Sequence, residues 1–436
     1  MDALAYHEAT KHSVESVRRG GGLDFSNRPT QFKKYVGLGS VPLPAEYSDV
    51  VHLSGGITKW LHGMPFRANA CTGALYHIEI HLLTEKGVFH IDLEHETLVT
   101  LRAGDCRAAL ASAGGDAASA SLLFTTTFWR NAWKYRTRMY RHAFWDLGTM
   151  LANTLAVTGG HVLAAFADDE VNHLLGLDPT REVALAIVPL GPTREPLPAS
   201  PAVEPLDLKV VPYSRFEIDY PEIGAAHRAS CLSSGQEAEA WRSAPLPAVP
   251  LDLWGASLAD VIRRRGSSRQ FDRMAPITRD QLTAVLDLAL TPIAADFPPM
   301  VDLYVIAHAV DGLPAGAYAV DRATRGLGAL RKGDFRQEAG LLDLGQPLAA
   351  DAAFNVYSLV DLAAVIERLG NRGYRAAQLE GGIIGGRIYL AAYALRLGAT
   401  GLTFFDDLVT QFFSPHAAGK SVMFLSAVGH PARALM

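Results

Sequence analysis

Cysteine is scarce in this chain of 436 residues. The three present, Cys71, Cys106 and Cys231, lie far apart and form no C-x-x-C pair. That argues against a disulfide framework and fits a reducing, cytoplasmic setting. Long hydrophobic runs are also missing: no stretch approaches the roughly 20 uninterrupted apolar residues that a spanning helix needs, so no membrane segment is expected. The opening MDALAYHEATKHS has no basic stretch followed by an apolar one, so no secretory leader is expected. A basic excess is absent as well. Lys and Arg number 40 against 45 Asp and Glu, a formal net charge of −5, which speaks against a general nucleic-acid binder.

What is present points to a large globule. Apolar residues make up 49% and charged residues 19%, enough to bury extensive cores, and the length suits two domains. The chain reads as if written twice. GALYHIEIHLLTEKGVFHIDLEHETLVTLRAGD (73–105) parallels VDLYVIAHAVDGLPAGAYAVDRATRGLGALRKGD (301–334). Both predict strand, turn, strand ending near Asp92 or Asp321, then R-x-G-D before a helix. Tyr140 matches Tyr374, Asp168 matches Asp406, and each half closes on an apolar strand-like run, EVALAIVPLG or KSVMFLSAVG. The period is far beyond the roughly 20–50 residues of a solenoid, so it predicts a domain duplicated head to tail. A proline-rich span, PLGPTREPLPASPAVEPL followed by a polar segment and PLPAVPLDLWG, reads as a linker or surface arm. The expected division is therefore 1–191, a linker at 192–250, and 251–436. The two halves are expected to meet across an internal pseudo-two-fold, as in a dimer, and the fused chain to be a monomer.

One stretch occurs only once. RRRGSSRQF (263–271) follows a helix-like pattern with Leu258, Val261 and Ile262 on one side. Guanidinium and hydroxyl groups grouped in this way suit a phosphate. They would equally suit a solvated basic helix end. Arg265-x-Ser267-x-Arg269 followed by Phe271 resembles the FMN-phosphate signature of the nitroreductase superfamily. RANACTGALYHIE (67–79) resembles that family's R-x-x-P-S-A-G-A-L-Y-P-x-E loop and strand. WKYRTRMYRHAFWDLG and FADDEVNHLLGLD resemble stretches of its SagB-type branch, the azoline dehydrogenases of peptide natural-product pathways, and YHEATKHS resembles that branch's opening. The likeness runs through nearly the whole chain outside the linker. Cys71-Thr72 and His77 depart from it, standing where the family has Ser-Ala and Pro.

The resemblance implies an α+β fold: two nitroreductase-like domains, each a mainly antiparallel sheet flanked by helices. It also implies FMN at their interface, with one side holding the phosphate and supplying an F-D-D loop, and the other supplying the small-residue loop and a Lys-Tyr pair. Arg265, Ser267 and Arg269, with Thr403, Phe404, Phe405 and Asp406, survive in the C-terminal half. Arg67, Ala70, Cys71, Thr72 and Gly73, with Lys134 and Tyr135, survive in the N-terminal half. Each half has lost what the other kept: AADFPPMVDLY replaces the small-residue loop, Arg368-Leu369 replaces Lys134-Tyr135, and no R-x-S-x-R stands near the N-terminus. One composite FMN site per chain is the expectation. Lys134 and Tyr135 are then the proton-handling pair while FMN takes the hydride.

The expected substrate is an azoline-like heterocycle or amino-acyl unit, free, peptide-borne or carrier-tethered. Two alternatives are a nitro- or quinone-reductase fed by NAD(P)H and a non-catalytic scaffold that binds a peptide or carrier protein. His77, Glu79 and His81 alternate as metal ligands could, but a solvated face of an amphipathic strand is the preferred reading and no metal is expected. FWRNAWKYRTRMYRH interleaves aromatic and basic residues, as single-strand binders do, yet the acidic balance opposes that. Cys71 is expected to be a small packing residue, and the paired Asp168-Asp169 and Asp406-Asp407 to be helix N-caps.

Overall fold

The computed structural model describes residues 1–18, 21–193 and 196–432; Arg19 and Gly20 of the opening, Arg194 and Glu195 of the proline-rich span and residues 433–436 lie outside the described residues. Eight strands form the first part: β1 (Ser40–Pro42), β2 (Ile57–Leu61), β3 (Met64–Arg67), β4 (Ile78–Thr84), β5 (Gly87–Asp92), β6 (Thr97–Ala103), β7 (Ala118–Thr127) and β8 (Glu182–Thr193). Six follow: β9 (Asp302–Ala307), β10 (Gly316–Val320), β11 (Leu327–Lys332), β12 (Phe354–Val360), β13 (Gly398–Leu402) and β14 (Ser421–Gly429). They make two six-stranded antiparallel sheets, in the orders β1-β6-β5-β4-β7-β8 and β11-β10-β9-β12-β14-β13, while β2 and β3 pair alone as a hairpin arm. The fold is α+β. The run β6-β5-β4-β7-β8 has the same connectivity as β11-β10-β9-β12-β14.

The central strands are buried on both faces, as in IEIHLLT, FNVYSLV and SVMFLSAVG, because helices and arms cover both sides. Two long helices, Met139–Thr158 and Leu362–Ala394, pack between the sheets, and residues from both halves share one core. They cross at Gly148 and Gly382, where a Cβ on either would stand 2.5–2.7 Å from the other helix's backbone. No larger residue allows backbones that close. Among the described residues no helix is long and apolar enough to cross a membrane.

Three expectations are corrected here. First, β4 does not turn a polar face to water: His77, Glu79 and His81 are all buried, because β4 is central in its sheet and both faces are covered. Second, Asp168 and Asp406 do not cap their helices, whose N-cap residues are Ala167 and Phe405. Their carboxylates reach across the chain instead. Asp406 pairs with Arg138 (3.0 Å) and Arg141 (2.6 Å), and Asp168 with Arg372 (2.5 Å) and Arg375 (2.6 Å). Third, residues 192–250 are more than a linker, since they carry helices Pro221–Ala229 and Gly235–Trp241. The first of these repeats the N-terminal helix Ala3–Ala9 in its contacts. Thr10 Oγ1 and Ser230 Oγ each donate back one turn, and the amides of His12 and Leu232 donate to Asp406 and Asp168.

Candidate active site

Ser257 caps the helix Leu258–Arg264, its hydroxyl accepting from the Asp260 amide, and buried Val261 and Ile262 hold that helix to the core. The backbone then turns extended at Arg265, and the Ser268 amide donates to the Ala399 carbonyl (2.9 Å), tying the Arg-Ser loop beside β13. Ser267 Oγ lies 2.9 Å from Tyr389 Oη, which also accepts the Gly401 amide (2.7 Å). The loop thereby forms one end of a cavity of about 430 Å³, within the usual range of small-molecule sites, about 300–1,000 Å³.

That cavity brings together most of what the sequence singled out. Ser267 and Arg269 line it from the C-terminal half; Ala70, Cys71, Thr72 and Gly73, with Lys134 and Tyr135, line it from the N-terminal half. Arg265 stands apart: buried, it donates to the carbonyls of Arg67, Ala68 and Asn69 at 2.9–3.0 Å and latches that loop to its own. Arg67 also faces away. Its guanidinium donates to the Gln31 carbonyl and stacks on Phe32 and Tyr76. Phe404 is buried against Trp145 (5.7 Å between centroids), Phe405 is buried, and Asp406 is held in its arginine pair, so none of the three lines the cavity. The correction for Arg67, Arg265, Phe404, Phe405 and Asp406 has one physical cause: each already has protein partners or packing that turn it from the space.

Asp146 organises the wall. Its carboxylate accepts from the Thr72 amide (2.9 Å), Thr72 Oγ1 (2.7 Å) and Cys71 Sγ (3.1 Å), and lies 2.9 Å from His77 Nε2. Asn131 Nδ2 donates to Thr72 Oγ1 (2.8 Å). Burial and Asp146 push the Cys71 thiol well above its ordinary pKa, so it stays protonated, in keeping with a packing role. Glu79 pairs with Arg130 and lies 2.8 Å from His90 Nε2. His77 and Glu79 therefore point to different partners, and His77, Glu79 and His81 do not converge on a cation.

Lys134 and Tyr135 have opposite electrostatics. Lys134 is on the exposed rim, and partial burial, Arg269 and Arg28 hold its ammonium below the ordinary lysine value. Tyr135 packs edge-on to His142 (4.3 Å), and burial, Asp146 and Cys71 raise its phenol. At neutral pH Tyr135 is a hydrogen-bond donor, and Lys134 is the member of the pair shifted towards basic work.

The position that the sequence match pairs with this cavity, around Glu380, is closed. Beside Phe297, Pro299 and Glu380 only about 10 Å³ remains. The amides of Ala164 and Ala165, which correspond to Leu402 and Thr403, donate to the Asp296 carboxylate at 2.8 and 2.9 Å. In the open site Leu402 and Thr403 line the cavity instead, and Thr403 Oγ1 is buried without a hydrogen-bond partner.

Several lining residues had no prior signal. Arg28 sits in an opening with no phosphate motif, and Gln346 arrives on a loop distant in sequence. Asp146 lay within a recognised stretch, FWDLG, and its carboxylate about two turns into a buried helix was the available clue.

Residues 262–430 match the nitroreductase family. A candidate nitroreductase from Anabaena variabilis ATCC 29413 is similar over 98% of this chain and 99% of its own, at 25% identity and a TM-score of 0.81. A candidate nitroreductase from Ralstonia eutropha JMP134 shares 19% identity over 42% of this chain and 88% of its own, with a TM-score of 0.36. The McbBCD microcin synthetase complex of E. coli contains a chain similar over 44% of this one and 87% of its own, at 19% identity and a TM-score of 0.31. No curated protein matches the chain. The chain has a nitroreductase-like fold.

Proposed function

We propose that this chain, nitroreductase-like in fold and matched to the nitroreductase family over residues 262–430, is an FMN-dependent oxidoreductase with one active site. Within that class we assign it to the SagB-type dehydrogenases or oxidases, acting on an azoline-like heterocycle or an amino-acyl unit. The observation that carries the reading is the cavity itself. Ser267 and Arg269 reach it from one half, Ala70–Gly73 with Lys134 and Tyr135 from the other, and the matching position across the pseudo-two-fold is filled. We read this asymmetry as a tandem duplication in which each half lost complementary parts, with the second unit beginning near Pro221.

The residues present fit FMN. Ser267 and Arg269 would hold the phosphate, a hydroxyl donor and a guanidinium being suited to its oxygens. The unpartnered Thr403 Oγ1 would meet a polar edge of the ring system. The Asp296 carboxylate, filling the matched place in the other half, marks that place as one that takes an acceptor. FMN supplies hydride acceptance. The chain supplies the rest. Lys134 Nζ, with its lowered pKa, removes a proton from the substrate, and Tyr135 Oη donates a hydrogen bond that orients it. Asp146 fixes the loop Cys71–Gly73 against which substrate is placed.

Absorption of the purified protein, with flavin counted per chain after denaturation, tests this. One FMN per chain is expected, and none for Arg269→Glu. Two per chain would refute the single-site assignment. None in the wild-type chain, even after incubation with FMN, would leave a scaffold.

A further inference from the structure

Three cations gather at the mouth of the cavity with no counter-charge. Arg28, Lys134 and Arg269 all line it, and among the described residues none lies within ion-pair distance of a carboxylate. The Arg28 guanidinium donates to Met64 Sδ (3.3 Å), and Lys134 rests over the Tyr135 ring. A fourth cation, Lys59, stands on the β2–β3 arm with Nζ 3.4 Å from the Arg265 carbonyl. The sole carboxylate of the lining is Asp146, whose oxygens already have the Cys71, Thr72 and His77 partners. In a chain of net charge −5, such a grouping is not a by-product of composition. Like charges held together raise the energy of the empty site and are offset only by an anion. A single phosphate at Ser267 and Arg269 leaves Arg28, which comes from the other half, unmatched even when Lys134 is in its free-base form.

We infer that the site takes two anions: the cofactor phosphate at Ser267 and Arg269, and a carboxylate or phosphate of the substrate at Arg28. The inference rests on the flavin reading above and names the class of substrate it serves, one with an anionic group close to the reacting part. Arg28 is the specificity-determining residue. It carries no proton in the reaction, and its planar fork recognises two oxygens at once.

The test uses the full chain loaded with FMN and follows flavin absorbance during titration with phenylacetate, phenyl phosphate and the neutral phenylacetamide. Both anions are expected to bind about tenfold or more tighter than the amide, the scale of a charged hydrogen bond. Arg28→Gln should remove that preference while leaving the amide's dissociation constant and the FMN content unchanged. A tighter phenyl phosphate than phenylacetate assigns a phosphate-bearing substrate, and the reverse order a carboxylate. Equal binding of all three, no binding by any, or an anion preference unchanged in Arg28→Gln overturns the inference while the flavin reading stands. A chain that takes up no FMN overturns both.

Discussion

Lys134 shows how little a residue's identity says without its surroundings. In sequence it is one cation in a run of aromatic and basic residues; in the structure its ammonium is lowered from 10.5 by partial burial, Arg269 and Arg28. A lowered lysine gains its free-base form at lower pH, so kcat/KM should rise with pH along a limb centred below the ordinary lysine value. Lys134→Met should abolish that limb and lower kcat by about 100-fold or more while leaving bound FMN intact. Steady-state rates across pH, beside the flavin spectrum, check both. A variant with full activity and an unchanged limb would remove Lys134 from the chemistry. The small-residue loop and the Lys-Tyr pair were legible because short motifs carry them. Arg265 was legible as part of a phosphate motif but folds as a latch on the Arg67–Asn69 carbonyls. That choice depends on a loop about 200 residues away.

Among the elements, two matched breaks are the most informative, one just before the helix Met139–Thr158 and one inside Leu362–Ala394. The chain turns at Arg136 with φ 50° and ψ −136°, and at the equivalent Gly370 with φ 61° and ψ −168°. Glycine adopts that backbone freely, whereas a side chain there costs about 1–3 kcal/mol. Arg136→Gly should therefore stabilise the fold by about 1 kcal/mol, and Gly370→Ala should destabilise it by a similar amount. Urea unfolding of the two variants measures this, and a destabilised Arg136→Gly or a stabilised Gly370→Ala would refute the stated equivalence of the two turns. Strand-turn-strand elements before R-x-G-D were legible from alternation and turn residues. The helices in 221–241 were not, because proline-rich flanks hid a short segment whose partners are distant in sequence.

For the whole molecule, the two halves are tied by reciprocal buried knots. Arg138 and Arg141 clasp Asp406, and Arg372 and Arg375 clasp Asp168. These arginines hold Asp168 down to about 2, from 3.8 when free, despite burial, and they also hold Asp406 below the carboxylate range. A depressed carboxylate contributes stability above its free pKa and loses it as pH falls through the folded value. The chain should accordingly lose stability steeply from pH 4 towards pH 2. Asp168→Asn should cost about 3–5 kcal/mol at pH 7, since it leaves two buried guanidiniums unpaired, and should flatten the acid limb. Denaturant unfolding at pH 7 and pH 3 would detect this. An unchanged acid limb would mean the knots do not govern acid stability.

The sequence by itself determined the likeness between its two halves, the strand-turn-strand segments and, through a family resemblance, the α+β class and some of the lining residues. These rest on local periodicity, turn residues and short motifs, all of which are encoded within tens of residues. Tertiary structure decided which motif residues face the space and which face the protein. It turned Asp168 and Asp406 from helix caps into cross-chain anchors and buried the polar face of β4. It also brought Arg28 to the cavity and Lys59 to the Arg265 carbonyl. The reason is physical. A buried charge takes the nearest partner that satisfies it, and for Asp168 and Asp406 those partners lie in the opposite half, 200 or more residues away, where no local pattern reports them.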